Sequence, residues 1–186
     1  MASKVDSQTK AKNKAKALDA YQALLASHGD RYAFEQLYRR WHARLLRFAM
    51  RQSGDVDLAQ DILQDAALAM AKNIHRLKDP EHFSAWAYTI LRRRAADHIK
   101  RRIKQRKLNE DIAAMPPPDM SDAGEDLALR NALVHLPKND SLLLTMFYVD
   151  GLTGAELGAA LGVPIGTIKS RLFKARQRLK HIYETQ

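Results

Sequence analysis

The sequence predicts an all-α fold: two small helical domains joined by a flexible acidic, proline-containing linker, with a helix-turn-helix in the second. Three observations predict it. Apolar residues recur at intervals of three and four along most of the 186-residue chain. A stretch with six acidic residues, three consecutive prolines and no Lys or Arg interrupts that period between Leu108 and Asp126. Beyond it, a capping threonine, a turn glycine and a proline follow one another at the spacing of two short crossing helices.

Composition narrows the class. With 46% hydrophobic residues the chain has the apolar content of a folded protein. It contains no apolar run near the roughly 20 residues that span a bilayer, nor a secretory signal's apolar stretch. The expectation is a cytoplasmic protein without membrane insertion. Cysteine is absent, which excludes disulfides, thiolate metal sites and a cysteine nucleophile. The net charge of +10 favours polyanions, because cations that neutralise phosphates release condensed counterions.

In chain order, residues 1–17 form a basic leader with Lys4, Lys10, Lys12, Lys14 and Lys16 and little apolar content, expected to be disordered. The first domain spans 18–107. Its first helical stretch carries Phe34, Leu37, Tyr38, Trp41, Leu45 and Phe48 at helix-face spacing and is broken by Ser53-Gly54-Asp55. A helix from about Val56 to Ile74 places Leu58, Ile62, Ala66 and Ala69 on one stripe, and Lys78-Asp79-Pro80 ends it. The third helix runs from about Glu81 or His82 to Lys107, with Phe83, Trp86, Ala87 and Ile90 near its start and a strongly basic distal end. The linker covers 108–126. In the second domain, 127–186, a helical segment opening near Glu125 pauses at Leu136-Pro137, resumes through Leu142 to Val149, and ends at Asp150-Gly151.

From Thr153 to Leu179 the chain reads as helix, tight turn, helix. Thr153 caps with Glu156 three residues later, Gly162 turns, and Pro164 opens a run through Lys180. Gly158 stands where two crossing helices approach closely, and Ile168 where they share a buried contact. On the second helix Ile168, Leu172, Ala175 and Leu179 form an inward stripe. The outward positions include Lys169, Arg171, Lys174, Arg176, Arg178 and Lys180 and nothing acidic. Such a helix suits the major groove, with Lys169, Ser170 and Lys174 as base readers and Thr167 and Arg171 meeting bases or phosphates; Phe173 and Arg176 complete the set. The other reading is a solvated basic helix packed on its neighbours.

Two more clusters stand out. Asp57, Asp61 and Asp65 fall at four-residue spacing beside Gln60 and Gln64, giving an acidic and amide face despite like-charge repulsion. It is a solvated surface, a partner-binding surface or, least favoured because no histidine completes it, a metal site. Phe83, Trp86, Tyr88 and the run Arg92 to Arg94 bring rings and cations together, a combination that stacks bases and follows a single strand. Phe83, Trp86 and Ile90 also share one face, which favours burial. Catalysis is not expected: the seven histidines and the carboxylates are scattered, with no phosphate loop, nucleophile-base pair or metal-ligand cluster, and no cofactor or metal is implied.

The phrase Leu152-Thr153-Gly154-Ala155-Glu156-Leu157, followed by Leu161 to Leu172 and Ala175-Arg176, closely resembles region four of extracytoplasmic-function (ECF) sigma factors. Ala59 to Asp65 and Phe83 to Ile90 resemble region two of the same sigma-70 family. The resemblance implies an alternative sigma factor whose partners are core RNA polymerase, promoter DNA and an anti-sigma factor. It implies that the second domain binds the minus-thirty-five element, and that Asp61, Gln64 and Asp65 meet the clamp helices of the polymerase's largest subunit. The loop from Arg76 to His82 with the third helix would melt the minus-ten element, through Arg76, Lys78, Phe83, Trp86, Tyr88, Arg92 and Arg93. Arg93 stands where relatives often carry a small polar residue. The alternatives are a free-standing helix-turn-helix regulator and a sigma-factor mimic; polymerase binding separates the regulator from the sigma factor.

Overall fold

The computed structural model describes residues 2–106 and 135–185, and these hold helices and no strand. The linker 108–126 and the opening of the helical segment near Glu125 lie outside the described residues. The first half contains α1 (Ala2–Ser27), α2 (Arg31–Ser53), α3 (Val56–Asn73) and α4 (Phe83–Arg106). In the second half lie α5 (Lys138–Leu144), α6 (Gly154–Leu161) and α7 (Ile165–Glu184), with a π-helical turn over Thr145–Val149 between α5 and α6.

Two features differ from the sequence expectation. The leader read as disordered continues α1 back to Ala2. Alanine and lysine, which dominate the leader, are among the strongest helix formers, so a helix anchored further on propagates backwards through them. The stretch read as one helical run before Ser53 is two helices. Gly29, at φ 100°, turns the chain, and the Asp30 side chain caps α2 by accepting from the Ala33 N–H at 2.9 Å.

The remaining boundaries follow their residues. Gly54 adopts the left-handed conformation, φ 68°, and its N–H closes α2 on the Met50 carbonyl. Asp55 then caps α3 through the Leu58 N–H at 3.0 Å. Asp79 caps a 3-10 turn, Pro80–His82, that leads into α4.

The core of the first half is a layer of aromatic and aliphatic side chains between α2, α3 and α4. Leu37, Trp41, Leu45 and Phe48 of α2 meet Ile62, Leu63, Ala66 and Met70 of α3 and Phe83, Tyr88 and Leu91 of α4, all buried. Trp41 lies edge-on to Phe83 and to Tyr88, at 5.9 and 6.1 Å between centroids, and Phe48 is 5.2 Å from Tyr88. α1 closes this layer with Ala23 and Ala26, and its Asp19 accepts a hydrogen bond from the Trp41 indole at 3.0 Å. In the second half Leu142, Leu143, Leu144 and Met146 are buried together with Leu157, Ile168, Leu172 and Ala175.

Asp55 also pairs with Arg102 at 2.6 Å, tying the basic end of α4 to the start of α3. The Leu58 N–H and then Arg102 hold its carboxyl below the ordinary carboxylate range. A group whose folded pKa is depressed stabilises the fold above its unfolded pKa and loses that contribution as pH falls through the folded value. Asp55→Ala is therefore expected to lower urea stability by about 1 kcal/mol at neutral pH. The gap between variant and wild type narrows below about pH 4. A urea titration at pH 7 and pH 3 checks both.

Candidate nucleic-acid interface

α6, the turn after it and α7 form a helix-turn-helix whose geometry is fixed by three local devices. The Glu156 N–H donates to Thr153 Oγ1 at 3.2 Å while the Thr153 N–H donates to Glu156 Oε2 at 2.7 Å, a complete capping box. Gly162, φ 69°, ends α6 in the left-handed region. A Cβ built at Gly158 would lie 2.9 Å from the Val163 carbonyl oxygen, so only glycine lets the turn fold back against α6.

The turn sets the roll of α7. Ile168, Leu172 and Ala175 face inward and are buried, while Lys169, Ser170, Arg171, Phe173, Lys174 and Arg176 are exposed and Thr167 is half-buried. Lys169, Arg171 and Lys174 thus present a cationic face on a helix with no acidic residue before Glu184. Phe173 is 61% exposed, an apolar ring set among cations, as contact with a thymine methyl requires. Arg176 lies over the Phe147 and Tyr148 rings, 5.5 and 5.6 Å from their centroids, which braces its guanidinium against the π turn. Arg178 is paired with Asp140.

The seven residues singled out on and before α4 separate into three environments. Arg76, Lys78 and Arg93 are exposed, and Trp86 is half-buried. Phe83 and Tyr88 belong to the core, so neither ring offers a face to a base; this corrects their reading as stacking residues, since the helical period places them inward with Leu91. Arg92 is taken up by the second half: its Nε donates to the Ala160 carbonyl at the end of α6, 2.9 Å away. Arg76, Lys78 and Trp86 line a cleft of about 440 Å³ whose opposite wall is Ala155, Glu156 and Ala159 of α6.

On α3, Asp61 and Gln64 are exposed, and Asp65 pairs with His98 of α4 at 2.7 Å. That hydrogen bond holds the Asp65 carboxyl below the ordinary range. Part of the repulsion along the acidic face is thus offset within the fold. Among the described residues no group of three or more His, Asp or Glu side chains could hold a metal ion.

Sequence reasoning missed the joint between the halves. The Tyr88 hydroxyl donates to Asp150 Oδ2 at 2.6 Å, and Arg44 and Arg47 of α2 stand 3.7 and 3.8 Å from Asp150 Oδ1. Arg51 donates to Thr145 Oγ1 at 3.1 Å. Burial and then the Asp150 charge push the Tyr88 hydroxyl far above the usual range, so it stays a donor. Burial, then Arg47, lowers the Arg51 guanidinium. The sequence signal was Asp150 itself, noted only as part of a helix stop.

Comparison with known proteins follows this division. The family described as Sigma-70 region 2 matches residues 37–105, and that described as Sigma-70, region 4 matches residues 126–179. The ECF RNA polymerase sigma factor SigM of Mycobacterium tuberculosis is 34% identical over 86% of this chain and 82% of its own length. The ECF RNA polymerase sigma factor RpoE of Cereibacter sphaeroides is 30% identical over 84% of this chain and 89% of its own. Among solved structures, the sigma factor RpoE of Bartonella quintana, in complex with the anti-sigma factor NepR, matches 81% of this chain and 96% of that one at a TM-score of 0.65. Its 24% identity makes this a likeness of fold.

The clearance at Gly158 gives a direct test. Gly158→Ala is expected to cost about 1–3 kcal/mol, because the opposing atom is backbone and cannot rotate away, and to weaken duplex DNA binding with it. Gly166→Ala, where an added Cβ meets nothing within 4 Å and the backbone is helical, is expected to raise stability by about 0.5–1 kcal/mol and to leave DNA binding unchanged. Thermal melting and a DNA-binding titration on the two variants decide it.

Proposed function

This chain belongs to the extracytoplasmic-function sigma factors of the sigma-70 family, alternative sigma factors that direct transcription initiation, and on that premise we propose how its residues divide the work. The observation that carries the proposal is the exposed cationic face of α7, rolled outward by the Gly158–Gly162 turn and free of acidic neighbours along its reading half.

α7 enters the major groove of the minus-thirty-five element. Lys169, Ser170 and Lys174 read base edges, Thr167 and Arg171 meet bases or phosphates, and Phe173 and Arg176 complete the contact. Asp61, Gln64 and Asp65 of α3 dock on the clamp helices of core polymerase, the acidic face meeting a cationic partner. Arg76, Lys78, Trp86 and Arg93 receive the unpaired minus-ten strand, Trp86 offering the ring and the cations following the backbone. Phe83 and Tyr88 support this surface from beneath, and Arg92 joins it when α6 is not against α4.

The protein works without chemistry of its own, as strand opening draws on binding energy alone, and acts in the cytoplasm. No helix among the described residues is long and apolar enough to cross a membrane. An anti-sigma factor is a further proposed partner, on the ground that a solved relative was captured with one.

Run-off transcription with core polymerase, purified protein and a library of promoter fragments tests the assignment. The wild type is expected to initiate at a defined motif. Charge reversal at Asp61 is expected to abolish initiation while thermal melting stays within about 1 kcal/mol of wild type, because the side chain is exposed on α3. Replacing Lys169 or Lys174 by Ala is expected to weaken binding of minus-thirty-five duplexes by about 1–3 kcal/mol and to relax base preference at the position each reads, in a titration against single-base variants of the duplex. DNA binding without polymerase recruitment would instead identify a free-standing regulator.

A further inference from the structure

α1 changes character along its length. From Asp19 onward it belongs to the core of the first half: Asp19 accepts from the Trp41 indole, and Ala23 and Ala26 are buried. Before Asp19 it carries Lys10, Lys12, Lys14 and Lys16, with no acidic residue between Asp6 and Asp19. Residues 13–17 are all exposed, Ala15 and Ala17 included. A stretch of helix turned to solvent on every side gains nothing from packing. Lysines four apart, as Lys10 and Lys14 or Lys12 and Lys16 are, also repel one another. No acidic neighbour along this stretch offsets that repulsion, and a polyanion would.

Lys16 marks where the row begins. Its Nζ lies 3.7 Å from Glu156 Oε1, and Glu156 lines the same cleft as Arg76, Lys78 and Trp86. The lysines of α1 therefore extend outward from the mouth of a cleft that already carries two cations. We infer that this row is a DNA-binding arm, in which Lys10, Lys12 and Lys14 meet the phosphate backbone of duplex DNA at any sequence while Lys16 stays on Glu156 and anchors the arm. Two features select the duplex. The chain has no aromatic residue before Tyr21, so the arm cannot stack the bases of a flexible single strand. A duplex instead presents about one negative charge per 1.7 Å of its axis, and each lysine that neutralises a phosphate releases condensed counterions. A lipid surface suits the stretch less well. At the helical period Lys10 and Lys14 share one face and Lys12 and Lys16 the opposite one, which leaves no apolar face to enter a headgroup layer.

The test titrates the full chain, without polymerase, onto labelled duplexes of arbitrary sequence at several salt concentrations. Each phosphate contact contributes about 0.9 to the salt slope on a duplex. Joint replacement Lys10→Gln, Lys12→Gln and Lys14→Gln is therefore expected to lower the slope by about 3 and to weaken binding alike on every sequence. Lys14→Gln alone is expected to lower it by about 1. The corresponding triple Lys→Arg variant keeps the charge and is expected to keep the slope. Far-UV circular dichroism and thermal melting report the folding of each variant, and the Lys16–Glu156 pair is intact in all of them.

An unchanged slope in the folded glutamine variants overturns the arm. So does a loss in the arginine variant as large as in the glutamine one, which would assign these positions a role other than charge. On single strands of the same length the slope is expected to shift by less than about 1, and a shift there as large as on the duplex overturns the choice of duplex. The inference stands apart from the sigma reading, since its ligand holds no promoter motif and its readout needs no polymerase. Absence of run-off product would overturn that reading and leave the salt slopes standing.

Discussion

A buried phenol has to satisfy two demands, and at Tyr88 they decide how the molecule is put together. Its ring completes the Trp41 and Phe48 cluster, which places it where water cannot reach, and a hydroxyl there must find an acceptor within the protein. Asp150 supplies it from the other half of the chain. A carboxylate can be buried at that point because Arg44 and Arg47 face it, and those arginines project from the same helix, α2, that supplies Trp41 and Phe48. The π turn over Thr145–Val149 then acquires its purpose. One residue more than an α-turn brings the Asp150 N–H onto the Thr145 carbonyl at 3.0 Å at the turn's end, with Gly151 at φ 76° releasing the chain toward α6.

Much of this was legible in the sequence, and the part that was not has a physical reason. Local devices were readable because their partners are a few residues apart: the Asp55 cap, the Thr153–Glu156 box, the Gly162 turn and the inward stripe of α7. The break at Gly29-Asp30 carries the same glycine-then-aspartate signal as Gly54-Asp55 and was missed because Leu25 and Tyr32, seven residues apart, keep one helical face in register across it, and periodicity cannot distinguish one long helix from two packed ones. The aromatic set on α4 was ambiguous for another reason. Rings that stack bases and rings that fill a core look alike in a sequence, and only the position of α2 decides that Phe83 and Tyr88 are core while Trp86 stays half-buried. Asp150 was not legible as a partner, since its three arginine neighbours lie about a hundred residues earlier, and nothing local marks them.

The basic excess is sorted by the same logic. Arg102 is spent on the Asp55 cap and Arg178 on Asp140, and Arg176 rests on the rings of the π turn. The cations that remain outward on the first turns of α7, Lys169, Arg171 and Lys174, are those the helix-turn-helix geometry presents to a groove. A net charge of +10 thus describes attraction to any polyanion, whereas the placement of acidic partners selects which surface answers it.

The cluster of Arg44, Arg47 and Arg51 against a single carboxylate leaves the joint electrostatically lopsided. Arg51 shows the consequence: burial and its neighbour Arg47 lower its guanidinium, and Asp150 acts in the opposite direction. Asp150 is thus the one residue that both the core aromatic and the arginine cluster require.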